Sequence, residues 1–425
     1  MIPKLKFFTI RRSFLNDLEK LKKNDQLPRE IISSLGNMVK EIFSILFKNG
    51  FLRKARKGEN NDDFWSSWQE HFDKCECHKY CLEKYHIIEC GYTIQCKPSY
   101  DVDLYEQLGN NKHQVVKSPF MDFGVYTTKF MQELKKGNER SIMKALLDDN
   151  HWEEIEAGSN SANARYVYDF FIVINRYMGN CSMIEKSESI FSYHLVWPLL
   201  SLAVKTATLP IRNLLFKTGE VILDSSDETL KAVGVVELDG IEFCLLETSD
   251  AYGISDNSRF GKDHVKGSFG ALMFLRKILK TCFYATEDML CELKVLFVHA
   301  RSKRIHLWSL EMPAKDVQVL EHLSYTDIPT NVSQVDKILN LGNFVWKLSD
   351  CLRKSYQTIN RMKEEHVRYL TMRQLNPNNQ SRVNLATLVE KEIQKPLKGS
   401  DYGIILPKQI DDFDLDNTVI PANKQ

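Results

Sequence analysis

The stretch Lys231-Ala-Val-Gly-Val-Val-Glu-Leu-Asp-Gly-Ile-Glu-Phe-Cys-Leu-Leu-Glu-Thr-Ser249 decides how the fold is read. Two apolar runs flank Asp239-Gly240, and Asp-Gly between such runs is a strong signal for a tight hairpin turn. Lys231 to Glu237 and Ile241 to Glu247 therefore read as paired antiparallel strands. The second is nearly continuous in apolar residues, as expected of a strand covered on both sheet faces. It ends on Glu247-Thr-Ser249, which sets a carboxylate at a strand's C-terminal end, the edge where open α/β sheets hold ligands.

The pattern extends outward in both directions. Upstream, Ser187 can cap a helix running to Val204, with Ile190, His194, Trp197 and Val204 on one face and Pro198 implying a kink. Glu220-Val-Ile-Leu223 is a short strand. Downstream, a polar loop from Thr248 to Lys262 leads to a helix from Asp263 to about Thr281, whose stripe Val265, Phe269, Leu272, Leu275 and Leu279 faces a core. Lys294 to Ala300 and Arg304 to Leu310 form another hairpin around Arg301 to Lys303. The order helix, strand, hairpin, helix, hairpin makes residues 185–312 an α/β core.

On either side the texture is helical. Residues 1–180 form a mostly helical N-terminal region, with Ile31, Ile32, Leu35, Met38, Val39, Ile42, Phe43, Ile45 and Leu46 at helical spacing and Gly50 as a stop. Residues 335–395 read as C-terminal helices broken at Asn376 to Ser381, and residues 396–425 as a flexible tail. No repeat and no low-complexity tract is visible.

Composition bounds the function classes. The chain has 425 residues, 43% hydrophobic and 27% charged, with a formal net charge of +1, so no global charge argues for nucleic acid or an acidic membrane. Its longest apolar stretches, such as Leu195 to Val204, fall far short of the ~20 residues of a membrane helix. Met1 to Leu15 carries Lys4, Lys6, Arg11 and Arg12 without a signal-type apolar run. The expectation is an intracellular protein, nuclear or cytoplasmic, with no membrane partner. There is no Walker loop, dinucleotide fingerprint, nucleophile elbow or kinase signature.

The segment Lys231 to Ser249, followed by Asp263-His-Val-Lys266, resembles the PD-(D/E)XK, or restriction-endonuclease-like, superfamily. More narrowly it looks like a large group of uncharacterised fungal proteins with such a core. The resemblance covers Glu185 to Met312 and rests on element order and short motifs. It implies a nuclease-like protein acting on or binding nucleic acid, with Mg²⁺ held by acids on two core strands and activating a water for attack on phosphate. Carried over, Glu247 matches the strand Glu that binds metal and Glu188 the helix acid that assists. Ser249 stands where the usual strand Lys would be, and Lys266, in the first turn of the helix, is the displaced lysine.

The family's other acid is replaced. Asp239 belongs to the turn, so eight residues at about 3.3 Å each separate it from Glu247 along the strand, whereas a shared ion needs both oxygens within ~2.1 Å. In this register Glu247 faces Ala232, and the position matching the family's acid is Val233, which cannot ligate Mg²⁺. Glu220, Asp224 and Asp227 are the candidates to compensate. The site thus reads as a degenerate phosphodiesterase centre, and the alternative is a non-enzymatic interaction or effector-type scaffold with an inactive nuclease-like core.

Two further clusters carry chemistry. Cys75, Cys77, Cys81 and Cys90, with Cys96, His71, His78 and His86 nearby, offer the ligand types of a structural zinc site, although C-x-C-x3-C followed by C-x5-C is irregular. The other reading is reduced thiols in a helical, cysteine-rich patch spanning 75–96. Lys48, Arg53, Lys54, Arg56 and Lys57, interleaved with Phe47, Phe51 and Leu52, could touch phosphates or form a solvated face.

Overall fold

The computed structural model describes residues 61–77, 81–108, 116–158, 160–208, 214–226, 230–375 and 382–388. The expected helices of residues 1–58, the basic run from Lys48 to Lys57, His78, Asp227, the break at 376–381 and the tail 396–425 lie outside them. The chain divides into two units, Met1–Ser67 and Trp68–Gln425. The architecture that follows is that of the second unit, which begins within the first described helix.

The element order begins with α1 (Asn61–Lys74), β1 (Ile87–Gly91), α2 (Val102–Gln107), α3 (Gly124–Lys136), α4 (Glu139–Leu146), α5 (Asp149–Ala157) and α6 (Ser161–Met178). It continues with α7 (Glu188–Phe191), a π-turn at Ser192–Val196, α8 (Trp197–Ala207), β2 (Leu214–Ile222), β3 (Lys231–Leu238), β4 (Ile241–Ser249) and α9 (Asn257–Thr281). The remainder is α10 (Glu287–Leu290), β5 (Val295–Arg301), β6 (Arg304–Ala314), β7 (Val317–Asp327) and α11 (Val335–Leu375). The chain is therefore mixed α/β. Among the described residues, no helix is long and apolar enough to cross a membrane.

The seven strands form one sheet in the order β1-β7-β6-β5-β4-β3-β2. β2, β3 and β4 make an antiparallel meander, and α9 crosses over to bring β5 parallel to β4. β5, β6 and β7 form a second meander, and β1 adds in parallel beyond β7. Asp239 and Gly240 both have positive φ, 49° and 78°, the conformation an Asp-Gly hairpin turn requires. All nine residues of β4 are buried, because α9 covers one face while α11 and the π-turn before α8 meet the other.

Several expected boundaries move. Ser187 does cap its helix, accepting from Ile190 N at 3.3 Å, but the segment to Ala207 passes through the π-turn just before Pro198. Proline lacks a backbone donor, and the looser turn accommodates that loss without ending the helix. The helix after β4 starts at Asn257, six residues earlier than expected, with Asp256 Oδ1 accepting from Arg259 N at 3.0 Å as its cap. Lys266 is consequently not in its first turn. The cysteine-rich segment supplies strand β1 rather than a helical patch, and β7 lies beyond Met312, so the sheet draws on residues outside 185–312.

The β3–β4 register also shifts. Glu237 pairs with Glu242 but Val236 pairs with Cys244, leaving Phe243 as a bulge. Gly234 then faces Leu246, and one step further Glu247 faces Val233 rather than Ala232.

Candidate functional site

Alternation along β4 sends Leu245, Glu247 and Ser249 toward α9, while Cys244 and Thr248, on the opposite face, meet Cys351 of α11 and Ser192 of the π-turn. Helix α9 lies close to the sheet because Gly267 has no side chain: a Cβ there would sit 2.3 Å from the Phe297 ring. At that separation Asp263 and Lys266, three residues apart on one helical face, both reach the end of β4.

Lys266 Nζ lies 3.0 Å from Glu247 Oε2. Ser249 Oγ donates to Asp263 Oδ2 at 2.7 Å. With its only proton so used, Ser249 Oγ accepts from His299 Nε2, also at 2.7 Å, which leaves His299 Nδ1 bare and buried without a hydrogen-bond partner. Glu188, at the start of α7, is ion-paired with Arg259 of α9. Arg259 also approaches Asp250 at 3.4 Å and Asp263 at 3.8 Å.

Burial dominates the electrostatics. Glu247 is only 2% exposed, and burial pushes its carboxyl up to about 8, an effect the Lys266 ammonium opposes and the Asp263 and Glu188 carboxylates reinforce. Asp263 and Glu188 are raised as well, first by burial, then against the pull of Ser249 and Arg259 respectively. Burial works to lower Lys266, yet Glu247 beside it outweighs that and holds the amine above its ordinary value. His299 is driven well below its ordinary value by burial and by Arg301, so its ring is neutral.

All four residues expected at this site, Glu247, Glu188, Ser249 and Lys266, thus gather at the C-terminal end of β4. Glu220 and Asp224 do not join them: Glu220 pairs with Lys231 at 2.7 Å and Asp224 approaches Lys217 at 3.7 Å. Asp239 meets Lys363 at the far end of the hairpin. Asp263, Arg259 and His299 are participants that motif reading did not single out. Asp263 stood in the quoted Asp263-His-Val-Lys266, and its spacing to Lys266 was the available signal. Nothing local announced His299, which arrives through the parallel pairing of Glu247 with His299 across β4 and β5.

The donor set fits Mg²⁺ poorly as arranged. Glu247 and Glu188 each already face a cation of the chain, and Val233 brings no oxygen. Among the described residues, no three His, Cys, Asp or Glu side chains are arranged to hold a metal ion. Nor is Ser249 a nucleophile of the hydrolase type. It is fully buried, and Asp263 touches the serine rather than His299 Nδ1, where an orienting carboxylate would be needed.

Cys75 and Cys77 are joined by a disulfide, Cys90 is buried in β1, and Cys81 and Cys96 are partly buried. A disulfide sulfur is not a thiolate, so Cys75 and Cys77 would serve a zinc ion with Cys81 and Cys90 only in their reduced form. A different polar cluster is built there. Glu89 of β1 accepts from or faces Lys97 and lies 2.6 Å from His264 of α9, while Lys97 also lies 2.8 Å from Glu83. It fastens β1 to the helix that carries Asp263 and Lys266.

Comparison of the chain with protein-family models, with curated proteins and with solved structures found no match to any of them.

Proposed function

We propose that this chain is a nuclease-like protein directed at nucleic acid whose Mg²⁺-dependent phosphodiesterase centre is degenerate, so that it binds without cutting. The reading draws on the helix, three-strand meander, crossover helix and parallel strand that the sequence resemblance leads one to expect. The observation that carries it is the 3.0 Å pair between Glu247 and Lys266, with Val233 beside it where a second acid is needed. An ammonium there supplies the positive charge that a metal would supply, but it carries no water to activate. Mg²⁺ would have to displace Lys266 from Glu247 and bind a carboxyl that burial biases toward its protonated form.

The test is a Mg²⁺-dependent cleavage assay on single- and double-stranded DNA and RNA, run beside equilibrium binding to the same substrates, with Glu247→Ala as control. The expected result is salt-sensitive binding with no cleavage above the Glu247→Ala background. Cleavage that disappears in Glu247→Ala overturns the degeneracy. Absence of binding to all four substrates overturns the nucleic-acid reading and leaves the interaction scaffold.

A further inference from the structure

A groove of about 600 Å³ opens between the 3₁₀ turn Pro119–Phe123, the start of α3 and the first turns of α11. Its volume falls in the range of roughly 300–1,000 Å³ typical of small-ligand sites. Phe120, Met121 and Leu339 give it an apolar wall. Met121 is 76% exposed, which leaves its side chain open to a ligand in the groove.

The polar groups in the groove are left over from the fold. Thr127 is 7% exposed, and its Oγ1 has no hydrogen-bond partner among the described residues, although a buried helical threonine ordinarily bonds the carbonyl one turn back. Asn343 Oδ1 is likewise buried and unpartnered. Both residues line the groove, together with Asp336 in the first turn of α11, which makes no ion pair among the described residues. The unmatched capacity is therefore that of an amide oxygen, a hydroxyl and a carboxylate beside an apolar wall. That combination is complementary to hydrogen-bond donors carrying positive charge on an aliphatic stem.

We propose that this groove binds an alkylammonium group, its stem against Phe120, Met121 and Leu339 and its head shared among Asp336, Asn343 and Thr127. A free diamine and the lysine side chain of another polypeptide present the same chemistry, and the experiment separates them. The site is remote in sequence from Glu247 and independent of the nucleic-acid reading.

The test is isothermal titration of the full chain with cadaverine and, separately, with a blocked lysine peptide, using pentanol as the uncharged control. Saturable binding of either amine, with pentanol inert, is expected, and the amine that binds more tightly identifies the source. Asp336→Asn, on an exposed position that leaves packing intact, should weaken binding by about tenfold or more. Thr127→Val should weaken it severalfold, and Leu339→Trp, which fills the groove, should abolish it. The inference is overturned if neither amine saturates, if pentanol competes equally, or if Asp336→Asn binds as tightly as the wild type.

Discussion

Replacing Glu247 by Gln tests the central electrostatic claim, because the amide keeps the shape and an acceptor for Lys266 but cannot ionise. Burial raises the Glu247 carboxyl from 4.5 to about 8 in the folded chain. The native state therefore holds a proton that the unfolded chain releases above pH 4.5, and the stability this confers is lost as pH rises through 8. An interval of about 3.5 pH units at 1.36 kcal/mol per unit amounts to about 5 kcal/mol. Its side chain is almost wholly buried, so solvent screening reduces this little. Glu188 and Asp263, also raised, couple to Glu247, so the difference between Glu247→Gln and wild type reports Glu247 together with that coupling. The assay is urea unfolding followed by tryptophan fluorescence at half-unit steps from about pH 5 to pH 9. Glu247→Gln should gain on the wild type steadily with pH, by up to about 5 kcal/mol at the alkaline end. A difference that stays flat across this interval would refute the reasoning, since it would mean that Glu247 is ionised in the folded chain throughout.

Three other perturbations follow from named contacts. Lys97→Met should cost about 3–5 kcal/mol at pH 7, because it strands the buried Glu83 and Glu89 carboxylates. Burial works to raise Glu89, but Lys97 and His264 outweigh it and hold the carboxyl well below the usual range. Its contribution is present above the unfolded value and lost on acidification, so the deficit in urea unfolding should narrow by pH 4, and an equal deficit at both pH values would count against the cluster. Gly267→Ala should lower stability by about 1–3 kcal/mol despite alanine's better helix propensity, since its Cβ meets the Phe297 ring at 2.3 Å; Phe297→Leu should recover part of the loss in thermal melts, and a stabilised single mutant would show that α9 does not depend on this close approach. The chain has ten cysteines, and thiol titration of the denatured, unreduced protein should leave Cys75 and Cys77 unreactive, whereas ten reactive thiols would exclude that bridge.

Local pattern carried the reading as far as local pattern reaches. The Asp239-Gly240 turn, the apolar run of β4, the stripe of α9 and the hairpin of β5 and β6 were legible because hydrophobic period and turn chemistry are written in adjacent residues. They were enough to converge Glu247, Glu188, Ser249 and Lys266. Strand β7 was not legible, because Gln318, Glu321, His322 and Ser324 interrupt its apolar pattern, and these are tolerated only where neighbours bond them. Lys294 lies 3.2 Å from Glu321, and His306 Nδ1 lies 3.2 Å from His322 Nε2. Nor was β1, whose five residues become a strand by pairing with β7 some 230 positions away.

The sequence by itself determined that a carboxylate, Glu247, would emerge at the end of a doubly covered strand, with Ser249 and Lys266 near it and no acid at Val233. Only the tertiary structure decided what that carboxylate became. A single bulge at Phe243 set Glu247 against Val233, the missing side chain of Gly267 let α9 approach the sheet, and parallel pairing brought His299 up to Ser249. Each depends on two segments meeting, and the burial that results raises the Glu247 carboxyl and aligns Lys266 against it. Burial is a property of the assembled chain, which no stretch of sequence possesses alone.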